Sequence, residues 1–92
     1  MTEIEVHHRP EQNRFEIRLQ GETAVLDYTL NGTTIIFTHT GVPSALEGQG
    51  IGSKLAKAGL DYARANGLKV RALCWFVDVY IQRHPEYQDL LA

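Results

Sequence analysis

A chain of 92 residues with 43% hydrophobic and 22% charged residues is the size of one domain and holds enough apolar side chains for a core without staples. Its formal net charge of −2, with acids and bases interspersed, gives no sign of a nucleic-acid groove, a membrane-binding face or an acidic partner. The single cysteine, Cys74, allows no intrachain disulfide, residues 1–5 lack the pattern of a leader, and no apolar run reaches the roughly 18 residues of a membrane span, so the cytoplasm is the expected compartment.

The first half reads as strands separated by turn chemistry: Ile4 and Val6 alternate, then Phe15, Ile17 and Leu19, then Leu26, Tyr28 and Leu30. Asn31-Gly32 predicts a two-residue type I′ turn, with positive φ at both central positions, joining the third strand to a fourth over residues 33–40. Unbroken alternation along that strand puts Ile35, Phe37 and His39 on one face and Ile36, Thr38 and Thr40 on the other. Gly41-Val42-Pro43-Ser44 ends the strand. From about residue 50 to 65 the period becomes helical, with Ile51, Leu55, Ala58 and Tyr62 on one stripe and Lys54, Lys57, Asp61 and Arg64 mostly off it. Asn66-Gly67 closes this helix as a left-handed cap pair. Residues 68–73 form a short fifth strand returning beside the fourth. Val77, Tyr80, Ile81 and His84 predict a second helix, stopped by Pro85, and residues 88–91 a last turn.

Between the fourth strand and the first helix lies Glu47-Gly48-Gln49-Gly50-Ile51-Gly52-Ser53-Lys54-Leu55, a glycine-rich turn of the kind that binds phosphate. A helix N-terminus offers unpaired N–H groups and the positive end of the macrodipole, and glycine lets a ligand approach the backbone. The P-loop order Gly-Lys-Ser is absent, since the chain reads Gly52-Ser53-Lys54. A dinucleotide fingerprint needs G-x-G-x-x-G with an acidic residue about 20 positions on, and the spacing of Gly48, Gly50 and Gly52 fits it poorly.

The loop does resemble the [Q/R]-x-x-G-x-[G/A] signature of the GNAT superfamily of acetyltransferases, with Gly50 and Gly52 at its small positions. His39-Thr40-Gly41-Val42-Pro43, the loop itself, and the tail from Cys74 through Tyr87 together are similar to a minimal single-domain GNAT subfamily. The resemblance implies an α+β domain over residues 1–92: four antiparallel strands, a glycine loop, a helix, a parallel fifth strand and a C-terminal helix. It implies acetyl-CoA as cosubstrate, with pyrophosphate held around Glu47, Gly48, Gln49, Gly50, Ile51, Gly52, Ser53 and Lys54. It further implies an amine acceptor, on a small molecule or a protein. His84 and Arg83 are either near the adenosine end of CoA or caps of the last helix. Three positions depart from the subfamily: Gly41 stands where an acidic residue is usual, and Ala72 and Trp75 where prolines are. Glu47 also departs from the superfamily's Gln or Arg, and Lys54 and Lys57 are expected to offset its charge.

Transfer to an amine needs a held thioester, a neutral nucleophile and an acid for the departing thiolate. Tyr80 is the candidate acid by resemblance, or else a core aromatic. His39 is the candidate base, because imidazole titrates near neutrality; the alternative is a half-buried strand histidine. Cys74 stands between a strand and a helix, where a thiolate is favoured, and it is a nucleophile, a lining of the pantetheine channel or inert core. His7 and His8 alternate across a strand and cannot share a metal, so no metal is expected. The fourth and fifth strands should run parallel and splay at the loop end, with His39, Cys74 and Tyr80 on the cleft walls. Two further readings stay open: a non-catalytic acyl-CoA-binding module, and a partner subunit that keeps the fold only for interaction.

Overall fold

In the computed structural model, which describes residues 4–92, five strands form one sheet in the order of the chain. Strands β1 (His7–Arg9), β2 (Arg14–Leu19), β3 (Glu22–Asn31) and β4 (Thr34–Gly41) are antiparallel, and β5 (Lys69–Ala72) runs parallel to β4. Helix α1 (Ile51–Ala65) connects β4 to β5, and α2 (Trp75–Arg83) follows, with short 3-10 turns at Pro10–Gln12, Ser44–Leu46 and Pro85–Leu90. This is the predicted order of elements. Residues 1–3, which entered the leader argument, lie outside the described residues.

Alternation decides where the core sits. Phe15 and Ile17 of β2, Ala24, Leu26 and Tyr28 of β3, Ile35 and Phe37 of β4 and Val70 of β5 all point to one face, where they meet Leu55 and Leu60 of α1 and Val77 and Ile81 of α2. The opposite face carries Arg14, Glu16, Arg18, Val25, Asp27 and His39, and neither helix covers it. Paired hydrogen bonding in β1 begins at His7, later than the Ile4 expectation, although Ile4 and Val6 do pack against the core.

Two hairpin turns differ from expectation in an informative way. Gln20 and Gly21 have φ of 55° and 76° between the paired Leu19 and Glu22, which is the type I′ pattern, and no Asn-Gly marks it. Asn31 instead pairs with Thr34, so the second turn is centred on Gly32-Thr33, with positive φ at Gly32 alone. That register sets Tyr28 opposite Phe37, ring centroids 6.4 Å apart and edge to face, a cross-strand aromatic pair that outweighs the turn preference.

The larger correction concerns β4. Phe37 pairs with Tyr28 and the next pair is His39 with Asp27, which leaves Thr38 as an extra residue. Such a bulge shifts the alternation by one position. Thr40 therefore falls opposite the buried Leu26 on the helix side, and His39, exposed, falls opposite Asp27 on the open side. The expectation that His39 shares a face with Phe37 fails beyond the bulge.

Helix α1 buries a wider stripe than predicted, taking in Gly52, Ala56, Gly59, Leu60 and Ala63, with Ala58 and Tyr62 at its edge. Its end follows the expected cap: Gly67 has φ 66°, and the Leu68 N–H donates to the Ala63 carbonyl at 2.9 Å. Gly59 is small for a packing reason, because a Cβ there would lie 2.8 Å from the Phe37 ring and 3.0 Å from Leu26. The C-terminal turn is tied to α1 by the Tyr87 hydroxyl, which donates to Asp61 at 2.7 Å.

Two predictions follow from this packing. Gly59→Ala gains about 1 kcal/mol of helix propensity but overpacks against Phe37 and Leu26, an effect of about 1–3 kcal/mol; urea denaturation should show a net loss of stability, and a gain would refute the packing account. Burial, and then the hydrogen bond to Asp61, push the Tyr87 hydroxyl up to about 12, above the ordinary tyrosine value of about 10. Because the folded value is raised, its stabilising effect is complete below about pH 10 and fades as pH climbs toward 12. Melting temperatures across that alkaline range should fall less steeply in Tyr87→Phe than in the parent chain.

Candidate active site

The chain leaves β4 at Gly41, and the Ser44–Leu46 turn drops Leu46 into the core, so that residues 47–50 are carried over the surface as an exposed loop. Gly48 and Gly50 have φ of 84° and 73°, and a Cβ on either would meet nothing within 4 Å. No side chain caps α1, and its first backbone bond runs from the Lys54 N–H to the Gly50 carbonyl at 3.1 Å. The N–H groups of Ile51, Gly52 and Ser53 have no protein partner among the described residues. They border a depression of about 380 Å³ that also takes in Thr40, Val42, Glu47 and Phe76. An open concavity rimmed by free N–H groups at a helix N-terminus suits an anion.

Two details of the loop differ from the sequence reading. Gly52 owes its size to the packing of the helices, since a Cβ there would lie 2.7 Å from the Phe76 ring of α2. Lys54 and Lys57 do not compensate Glu47. They border a separate depression beside Ile4 and Val6, and Lys57 is held by Asp61 at 2.7 Å, while Glu47 lines the loop depression itself. An anion at this loop would meet backbone dipoles, and Lys54 borders the other depression.

The sheet opens next to the loop. Pairing of β4 with β5 stops at Phe37 and Ala72, and the Phe37 carbonyl accepts both the Leu73 and the Cys74 N–H at 3.0 Å. Beyond it the two strands part, as expected of a splayed parallel pair. In the opening, Thr40 Oγ1 and Cys74 Sγ lie 3.0 Å apart. Thr40 was absent from the sequence-based candidates, because only the bulge turns it toward the helices. His39 lies on the other side of the sheet, with Nε2 3.0 Å from where a Cβ on Gly41 would be. His39 and Cys74 therefore occupy opposite faces, and joint action on one proton does not stand.

Tyr80 lies elsewhere. It borders a second depression of about 190 Å³ with Ser53, Trp75, Phe76, Arg83 and His84. Burial pushes its hydroxyl up from the ordinary tyrosine value. Its ring stacks on His84 with centroids 3.9 Å apart, and His84 Nδ1 bonds the Tyr80 carbonyl at 2.7 Å, so His84 does cap α2. Tyr80 lines this second depression, and Thr40 lines the first. Ser53 and Phe76 border both depressions, so the two adjoin between the α1 N-terminus and Arg83. Among the described residues no three His, Cys, Asp or Glu side chains are grouped to hold a metal.

A mixed sheet whose parallel pair parts beside a glycine loop defines a GNAT-type acyltransferase fold. The chain belongs to the GCN5-related N-acetyl-transferase family, whose profile matches residues 14–90. It is 39% identical over 90 residues to Protein NATD1 of Mus musculus, covering 95% of this chain and 82% of that one. Against Protein NATD1 of Homo sapiens the identity is again 39%, over 95% of this chain and 80% of that one. The NMR solution structure of a GCN5-like protein from Staphylococcus aureus superposes with a TM-score of 0.78 at 34% identity, covering 100% of this chain and 91% of that chain.

Proposed function

We propose that this protein binds acetyl-CoA and transfers the acetyl group to a primary amine. The observation that carries the reading is the row of unpartnered N–H groups at Ile51, Gly52 and Ser53 beside an opening in the sheet. Family membership supports the cosubstrate, since GCN5-related enzymes generally use acetyl-CoA. The backbone of residues 48–53 would hold the pyrophosphate, and Arg83, exposed on the second depression, would take the phosphorylated adenosine end. Bound acetyl-CoA supplies an activated thioester. On the helix side, the Thr40 hydroxyl beside Cys74 would donate a hydrogen bond to a departing thiolate, a preorganised stabilisation.

The amine would come from the open face. Its nitrogen bonds to the acetyl carbon as the carbon–sulfur bond breaks, CoA leaves as the thiolate, and His39 takes the proton that the nitrogen sheds. The separation of His39 from Cys74 fits this division, with the base on the acceptor side and the thiol on the sulfur side. Cys74, bonded to Thr40, then lines the channel, and transfer is direct. The acceptor is an amine on a small molecule or a protein, and a free thiol at Cys74 suits the reducing cytoplasm where we place the chain. A second reading, a non-catalytic acyl-CoA-binding module, draws on Gly41, because a side chain there would sit against His39 and glycine leaves that imidazole without such a neighbour.

Acetyl-CoA at 100 times its Kd should add about 2.7 kcal/mol to the unfolding free energy, seen as a rise in melting temperature. Gly50→Val should lose that rise, because valine cannot hold the left-handed conformation that opens the loop. An unresponsive parent protein would reject the CoA reading altogether. With turnover in hand, His39→Gln should lower kcat about a hundredfold or more. Cys74→Ser should keep most activity. Intact-mass spectrometry after incubation with acetyl-CoA alone should find no acetyl group on Cys74; a stoichiometric adduct that an amine discharges would replace direct transfer with a covalent route.

A further inference from the structure

The open face of the sheet gathers arginines that the sequence scatters. Arg14, Glu16 and Arg18 alternate along β2 and so share that face, and Arg9 of β1, paired with Arg14, joins them. Glu16 is only 3% exposed although no helix covers it. What covers it is guanidinium: Arg9 Nε lies 3.3 Å and Arg18 Nη2 3.4 Å from its Oε1, and Arg14 Nη1 3.9 Å from its Oε2. Arg14 also bonds Asp27 at 3.0 Å. Three guanidinium groups thus share two carboxylates in a chain whose net charge is −2. Arg9 and Arg18 keep 38% and 64% of their side chains exposed, with N–H donors to spare.

We propose that this face docks an acidic polypeptide segment, whose carboxylates take the free edges of Arg9, Arg14 and Arg18. Guanidinium forks match carboxylates in two-pronged pairs. A flat sheet offers no enclosure for a small anion, whereas neighbouring strands about 4.8 Å apart and same-face residues about 7 Å apart present donors at the pitch of an extended chain's alternate side chains. A nucleic acid fits less well, because Glu16 and Asp27 lie within the same cluster and the molecule as a whole is negative. The register continues from Arg9 through Arg14 and Asp27 to His39. On the transfer reading above, on which this link alone rests, a docked acidic segment would bring its own lysine or terminal amine toward the opening. The docking itself stands on the charge pattern of the face.

The test is a ¹⁵N NMR titration of the whole chain with short poly-L-glutamate at low salt. Shifts should concentrate on residues 7–9, 14–18 and 27 and shrink as salt is raised. Arg9→Gln with Arg18→Gln should weaken binding about tenfold or more, while leaving the spectrum of a folded protein and the melting response to acetyl-CoA unchanged. Shifts confined to Lys54 and Lys57, no shifts at all, or equal binding of a DNA oligonucleotide to the same face would overturn the proposal. Glutamate binding in a protein that ignores acetyl-CoA would support the docking face and sink the transfer reading, so the two failures are distinguishable.

Discussion

The arrangement of this molecule depends on the carbonyl of Phe37 and the residue after it. That carbonyl accepts two N–H groups, from Leu73 and Cys74, as the last backbone link between β4 and the chain leaving β5. One position later Thr38 is extruded as a bulge. Because side chains alternate with period two, one inserted residue exchanges the faces of the rest of that strand. Thr40 turns to the helices and His39 to solvent, and the strands part where α2 begins. Without the bulge His39 would be aimed at the core, where a titratable ring is costly, and Thr40 would not reach Cys74.

Packing then fixes the loop against that opening. The Phe37 ring lies under Gly59, so α1 approaches the sheet as closely as a residue without a Cβ allows, and Phe76 lies against Gly52 to set the start of α2 on the start of α1. Two glycines in α1 therefore serve helix–sheet and helix–helix contact, while Gly48 and Gly50 serve the conformation of the loop. The N–H groups that face the groove are held by a helix locked at both contacts. An anion meeting them would find donors already oriented, with little ordering left to be done on binding.

The legible part of the sequence was the part written in local periodicity. Element order, the glycine loop and the cap at Gly67 came from patterns within a few residues, while the parallel return of the fifth strand came from the family resemblance and the strand-helix-strand connection. What was not legible depended on partners far along the chain. The bulge at Thr38 exists only relative to β3, so the faces of His39 and Thr40 could not be read from alternation alone. Asn31-Gly32 pointed to a turn, but the Tyr28 and Phe37 pairing moved it by one residue. Lys54 and Lys57 looked available to the loop by spacing, yet the helix turns them toward Asp61 and the N-terminal segment. Interspersed charge likewise hid the arginine cluster, because spacing along a chain does not reveal that β1 lays Arg9 beside Arg14.

The two faces of the sheet handle charge by different means. On the helix side, among the described residues, no lysine or arginine borders the loop depression and Glu47 does, so an anion there would be held by amide dipoles. Dipoles fall off faster than charges, which ties such binding to a close backbone approach and makes the left-handed glycines indispensable. On the open side the charges are formal, partly exposed and screened by salt, which suits a partner that must arrive, align and leave. A groove rimmed by free amides on one face and a cluster of guanidinium groups on the other flank the same sheet. The arginines owe their face to alternation along β1 and β2, whereas the bulge in β4 decides on which side of the opening His39 and Thr40 stand.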